Sequence, residues 1–229
     1  MKAKIGKSYL IGIPHEGKVI SFQHPSFRGT YGSVAEQIDT EGLQRPTAAQ
    51  TASLVYDAFQ NKEGKYESEI IDILNGRWFW EFTGNFYLPE SNEDVNDGVI
   101  LVDNPDIVNG RLAMDKNSLI KKLQEGDSSV RFVPFGFKTG EQTPRELEAN
   151  SYVVARYGEE GAEKIAEIAD KYRRNPRVWV FDSVDEEKQR MSALYGYWGL
   201  GGRLGVGSDF WYLGGNGVAF GVCPSSESE

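Results

Sequence analysis

The sequence predicts a single α+β domain spanning 1–229, and three observations carry that expectation. Short apolar runs near both ends alternate as strands do, while the longer segments between them place apolar residues at helical spacing. No Pro- or Ser-rich linker divides the chain, and no repeat with a period of roughly 20–50 residues is present. The C-terminal stretch 193–223 holds ten glycines and seven aromatics but only two charged residues, Arg203 and Asp209. That composition suits a tight β segment.

"KSYLIGIP" and "KVISFQ" read as two strands flanking a polar turn at 15–17. In "GSVAEQIDTEG", Ser33 and Glu36 have capping-box spacing, which predicts a short helix starting there. "RPTAAQTASLVYDAFQN" follows, with Pro46 suited to a first helical position. Its Thr51, Leu54, Val55, Ala58 and Phe59 recur on one helical face. "YESEIIDILNG" predicts a shorter helix closed by Gly76.

"RWFWEFTGNFYLP" alternates as a strand, Phe79, Glu81 and Thr83 against Trp78, Trp80 and Phe82, with a break expected at Gly84 and Asn85. "GVILVDN" and "VRFVPFGFK" are further strands, and "NSLIKKLQEG" between them is an amphipathic helix. "TPRELEANSYVVARYG" starts a helix with Thr143 as cap and Pro144 in the first turn. "GEEGAEKIAEIADKYRR" puts Ala162, Ile165, Ile168 and Ala169 on one face, with acids early and bases late as the helix dipole favours. "RVWVFDS" is a buried-type strand, and 224–229 is expected to be a frayed tail.

The net charge of −9 argues against a nucleic-acid partner, because phosphate binding needs clustered Lys and Arg. The short cluster Lys171, Arg173, Arg174 and Arg177 reads as a helix end. With Cys223 as the lone cysteine, no intramolecular disulfide is possible. Lys2, Lys4 and Lys7 imitate a signal n-region, yet the apolar run at 9–13 stops at Pro14, too short for an h-region. No run approaches the roughly 18 apolar residues of a membrane span. A soluble chain is expected, cytoplasmic by default.

Catalytic and metal chemistry have few candidates. His15 and His24 are the only histidines; one lies in a turn and the other precedes Pro25. Both read as surface or hydrogen-bonded residues, and structural zinc needs more His or Cys than this. The stretch 90–97, "ESNEDVND", gathers oxygen ligands suited to Ca²⁺, but Asp97 stands where the turn glycine of an EF-hand belongs, so a solvated loop is expected. "GLGGRLGVG" lacks the Lys-Ser/Thr pair of a P-loop. No cofactor or metal is expected, and no catalytic residues.

Two readings of 193–223 stay open. Its apolar and aromatic residues fill a core at strand spacing, or some of them form a binding surface, since Tyr, Ser, Gly and Asn together make adaptable recognition surfaces.

"ALYG" (193–196), Trp198, Gly201, Gly202, "GVG" (205–207), Trp211 and "GVAFGVC" (217–223) resemble the variable region of diversity-generating-retroelement variable proteins, which have a C-type-lectin fold. "RPTAAQTASLVYDAF" and the strand–helix–helix–strand order resemble the first half of that fold. The resemblance implies a non-enzymatic protein whose C-terminal segment is rewritten at adenines of AAC or AAT codons while the scaffold stays fixed. Codons of the form NNC or NNT never encode Lys, Glu, Gln, Met or Trp. Lys, Glu, Gln and Met number 45 of 229 residues, yet none falls in 192–223.

On that resemblance the ligand-facing positions are Tyr197, Gly199, Leu200, Arg203, Leu204, Ser208, Asp209, Phe210, Tyr212, Leu213 and Asn216. The frame is Leu194, Gly196, Trp198, Gly205, Val206, Trp211, Val218, Phe220 and Val222. The partner is an unidentified ligand, expected to be a protein or other macromolecule. A carbohydrate-binding protein, or an enzyme of the formylglycine-generating type, is the alternative with the same fold. The absent disulfides and Glu-Pro-Asn-type motif count against Ca²⁺-dependent sugar binding, and the lone Cys223 against the enzyme.

Overall fold

The computed structural model describes residues 9–197, 202–208 and 216–224. An antiparallel hairpin opens it, β1 (Tyr9–His15) and β2 (Lys18–His24). β3 (Phe27–Gly29) follows, then α1 (Tyr31–Thr40), α2 (Ala48–Gln60) and α3 (Lys65–Gly76).

Two helix starts differ from the sequence reading. Thr30, not Ser33, caps α1: its side chain accepts from Ser33 N at 3.3 Å. Thr47 caps α2 and closes a capping box with Gln50, leaving Pro46 outside the helix. Both threonines already stand in extended backbone where the chain enters the helix, so their hydroxyls reach the unpaired first-turn amides first.

β4 (Trp78–Leu88) is the central strand and runs unbroken through Gly84 and Asn85. The expected break is absent because the buried Asn85 amide is fully partnered. Its Nδ2 donates to Ser192 Oγ at 2.8 Å, and its Oδ1 accepts from the Tyr152 hydroxyl at 2.7 Å.

The chain continues through β5 (Gly98–Asp103), β6 (Ile107–Val108), β7 (Arg111–Leu112), α4 (Lys116–Gln124), β8 (Val130–Pro134) and β9 (Gly140–Glu141). Then come α5 (Pro144–Glu148), α6 (Ser151–Ala169), β10 (Arg177–Trp179), β11 (Lys188–Tyr197), β12 (Arg203–Gly207) and β13 (Gly217–Ala219). The helix expected to run on from Thr143 stops at Glu148. A new one starts from the Asn150 cap and is broken inside at Gly158 (φ 75°, ψ 168°), a conformation that only glycine adopts without strain.

The main sheet runs β3-β13-β4-β11-β12-β10-β9. β11 lies antiparallel on one edge of β4; on the other edge β13 pairs parallel at Trp78 and Phe79, and β5 takes over from Thr83 onward. β8 extends the sheet beyond β5. Helices cover both faces. α2, α3 and α6 pack on the face carrying Phe79, Leu194, Leu204, Val206 and Val218. α1 lays Tyr31, Val34, Ala35 and Ile38 on the other face, against Trp80, Phe82, Met191, Ala193 and Ala219. The molecule is thus a mixed α/β fold. Among the described residues no helix is long and apolar enough to cross a membrane.

Candidate functional site

The C-terminal segment is anchored as a hairpin of β11 and β12, paired from Ala193–Gly207 to Tyr197–Arg203. Close approach sets its glycine content. A Cβ on Gly205 would stand 2.3 Å from ring carbons of Tyr195 on the neighbouring strand, so the ring lies flat over bare backbone. The stretch 216–223 returns into the sheet through β13 and through the pairing of Val222 with Phe22 and Gln44.

A buried polar network holds the base of this segment. Arg156 on α6 is fully buried and ion-pairs with the equally buried Glu81 of β4. Arg156 also donates to the carbonyls of Gly207 (3.1 Å) and Ala193 (3.3 Å) and to the Tyr152 hydroxyl (3.2 Å). Tyr157 adds a hydrogen bond to Glu81 Oε2 at 3.3 Å. Burial pushes the Glu81 carboxyl up and Arg156 opposes that shift. Burial also works against the Arg156 charge, but Glu81 and the two tyrosines outweigh it and hold the guanidinium ionised. Burial raises the Tyr87 and Tyr157 hydroxyls well above the ordinary phenol range, so both remain neutral donors.

The same network grips Ser208. Its backbone N donates to Trp179 O at 2.8 Å, its carbonyl accepts from the Tyr87 hydroxyl at 3.3 Å, and its Oγ meets the hydroxyls of Tyr87 and, at 2.9 Å, Tyr152. Every polar group of Ser208 is therefore committed inside the protein.

This corrects two of the expected ligand-facing positions. Ser208 is buried for the reason just given. Leu204 is buried because strand alternation turns it, with Val206, into the layer of α2, α3 and α6. Arg203 faces the other way, half-buried, with Nη1 2.9 Å from Glu141 Oε2. Asn216 is exposed. Tyr197 pairs with Arg203 in the hairpin. Gly199, Leu200, Asp209, Phe210, Tyr212 and Leu213 lie outside the described residues, as do the frame positions Trp198 and Trp211. The frame residues Leu194, Gly196, Gly205, Val206, Val218, Phe220 and Val222 are buried.

The face carrying Arg203 continues across the sheet edge. β10 pairs parallel with β12, matching Arg177 to Gly205 and Trp179 to Gly207, and β9 brings Glu141 opposite Arg177. Val178 points into the core, so Arg177 and Trp179 share the outer face. Arg177 stacks on Trp179 with its guanidinium carbon 3.6 Å from the ring centroid. The turn before β10 carries exposed Arg173 and Arg174, and Arg174 N donates to Gly202 O at 3.2 Å, placing this basic turn beside the hairpin. The sequence reading placed Arg177 in the strand "RVWVFDS" but counted its charge with a helix end, and so missed this patch. The signal was the Arg-Val-Trp alternation, which sets a cation and an aromatic on one face of a strand.

Other candidates are structural ties. His15 Nδ1 lies 2.9 Å from Ser53 Oγ, which also accepts from Lys164 Nζ at 2.9 Å. Burial lowers the His15 pKa. The adjoining cavity is about 50 Å³, room for a water or two and too small for a substrate. His24 Nε2 meets Glu69 Oε2 at 3.0 Å. The two histidines thus tie the β1–β2 hairpin to α2 and α3. The acidic stretch 90–97 is largely exposed, with Glu93 ion-paired to Lys116 at 2.5 Å. Among the described residues no group of three or more His, Cys, Asp and Glu side chains is placed to hold a metal ion. No protein-family model, curated protein or solved structure matches the chain.

Proposed function

We propose that this chain is a ligand-display protein with a C-type-lectin-like fold, whose positions between β11 and β13 vary to recognise a partner macromolecule, most simply another protein. The observation that carries the reading is Ser208. Its backbone and side chain are held by Trp179, Tyr87 and Tyr152, all outside 193–223. The backbone entering 209–215 is therefore fixed by residues that do not belong to that segment. A frame secured in this way tolerates exchange of the side chains it presents. The succession of strand, helices and strand in β3, α1, α2, α3 and β4 supports the lectin-like reading, as does the sealing of the C-terminal strand β13 between β3 and β4.

The test is a library with Tyr197, Arg203, Phe210 and Tyr212 drawn from NNC codons, and Leu204 and Ser208 kept. Sorted first for folding and then for binding to a panel of proteins, most members should fold, and different members should bind different targets. A library that largely fails to fold would put these side chains in the core and end the display reading.

A further inference from the structure

We infer that the face formed by Arg177, Trp179 and Arg203 is a carboxylate-binding subsite, and that it takes a single glutamate or aspartate side chain from a peptide segment of a partner protein. The partner's being a protein rests on the display reading; the site itself does not. Among the described residues the Arg177 side chain has no hydrogen bond and no ion pair, only its stack on Trp179 at 3.6 Å. Stacking fixes the guanidinium plane and leaves its Nη N–H groups free, the fork that a carboxylate fits with two parallel bonds.

Trp179 Nε1 and the Nε atoms of Arg177 and Arg203 are withdrawn from water, which leaves the two Nη groups of Arg177 as the donors that a carboxylate can reach. Arg203 and Arg177, with exposed Arg173 and Arg174 in the turn before, set four cations on or beside a face where Glu141 pairs with Arg203, within a chain of net charge −9. That field draws a single carboxylate. Glu141 beside the fork, and the overall negative charge, oppose a dianionic phosphate or a nucleic-acid backbone.

The probe is a capped, otherwise neutral heptapeptide with one central glutamate, with its glutamine counterpart, a phosphoserine counterpart and a single-stranded oligonucleotide as comparisons. Binding is read by calorimetry and by the ¹H–¹⁵N signal of the Trp179 indole. The glutamate peptide should bind and shift that signal while the glutamine peptide does neither. Arg177→Gln should weaken binding about tenfold or more, as loss of a central arginine anchor does. Arg177→Lys keeps the charge but loses the fork and should weaken it nearly as much, with melting temperature unchanged. Equal binding of the glutamine peptide, preference for the phosphopeptide or oligonucleotide, or indifference to both Arg177 variants would overturn the inference. Arg177 and Trp179 lie outside 193–223, so the two readings fail separately. A library that does not fold, beside intact glutamate binding, removes only the display reading. A folding library whose binders ignore Arg177, with no glutamate binding, removes only the subsite.

Discussion

Glu81 and Arg156 form an ion pair in which neither side chain reaches solvent. The pair joins β4 to α6 and, through Arg156, to the carbonyls of Ala193 and Gly207, so it ties together the strands that frame the C-terminal segment. Arg156→Met should destabilise by about 3–5 kcal/mol, because a buried carboxylate is left uncompensated. Replacing both partners with apolar residues should cost much less than the two single changes summed. A double-mutant cycle in urea measures this; additive losses would show that the two charges are not coupled.

Gly205 and Tyr195 make a second, steric prediction. With a Cβ only 2.3 Å from the ring, Gly205→Ala forces the strand or the tyrosine aside, at about 1–3 kcal/mol. In a Tyr195→Ala background the same change should be close to neutral. An equal loss in both backgrounds would trace the glycine requirement to something other than the ring.

Most of the fold was legible because local signals and tertiary packing agree. The helical faces of α2 and α6 bury Thr51, Leu54, Val55, Ala58, Ala162, Ile165 and Ile168, as their spacing predicts. The hairpin at 9–24 and strands β4, β5 and β8 also follow from apolar patterning. Failures came where a long-range partner decided the outcome. Asn85 looked like a strand breaker, yet Ser192 and Tyr152, far along the chain, satisfy it. Ser208 was expected to face a ligand in a glycine-rich stretch, yet Tyr87 and Tyr152 enclose it. Nothing near Ser208 in sequence announces those tyrosines. The Arg177–Trp179 stack became visible only once β10 was placed beside β12.

His15 sets a pH dependence with a definite sign. Its folded-state pKa lies below the ordinary 6.5, chiefly through burial, with Glu16 and Glu160 pulling it up and Lys164 pushing it down. The unfolded chain therefore binds the proton more readily than the folded one, so stability is present above about pH 6.5 and is lost as pH falls through the lower folded value. His15→Asn should flatten that part of the stability curve. The difference between the two proteins' unfolding midpoints, followed from pH 8 down to about pH 5, isolates this histidine; a constant difference would remove it as the source.

Glu146 acts in the same direction at lower pH. Its carboxyl accepts from Lys138 Nζ and from Thr143 at the start of α5, which draws its pKa down to about 2, with Lys138 the largest influence. Its folded pKa is depressed, so its contribution is present above the ordinary glutamate value of about 4.5 and is lost as pH falls toward 2. Carboxyl-carbon NMR should place the midpoint near 2, and Lys138→Ala should move it upward. A midpoint at the ordinary value would mean the capping-box contacts do not persist in solution.

Alternation along β12 separates residues that can vary from those that cannot. Leu204→Ala should cost about 2–5 kcal/mol, as a deleted core leucine does. Asn216→Ala should stay within about 0.5 kcal/mol, because its side chain is exposed. Arg203→Ala should lose no more than about 1 kcal/mol, because its partner Glu141 is half in solvent and screens the pair. Urea denaturation of the three variants ranks them directly. The ranking also bears on display: a library that varies Leu204 and Ser208 along with Arg203 should contain far fewer folded members than one that holds both fixed. If the two libraries fold equally well, the buried side of β12 is not a structural constraint, and the division of the segment into frame and variable positions loses its physical basis.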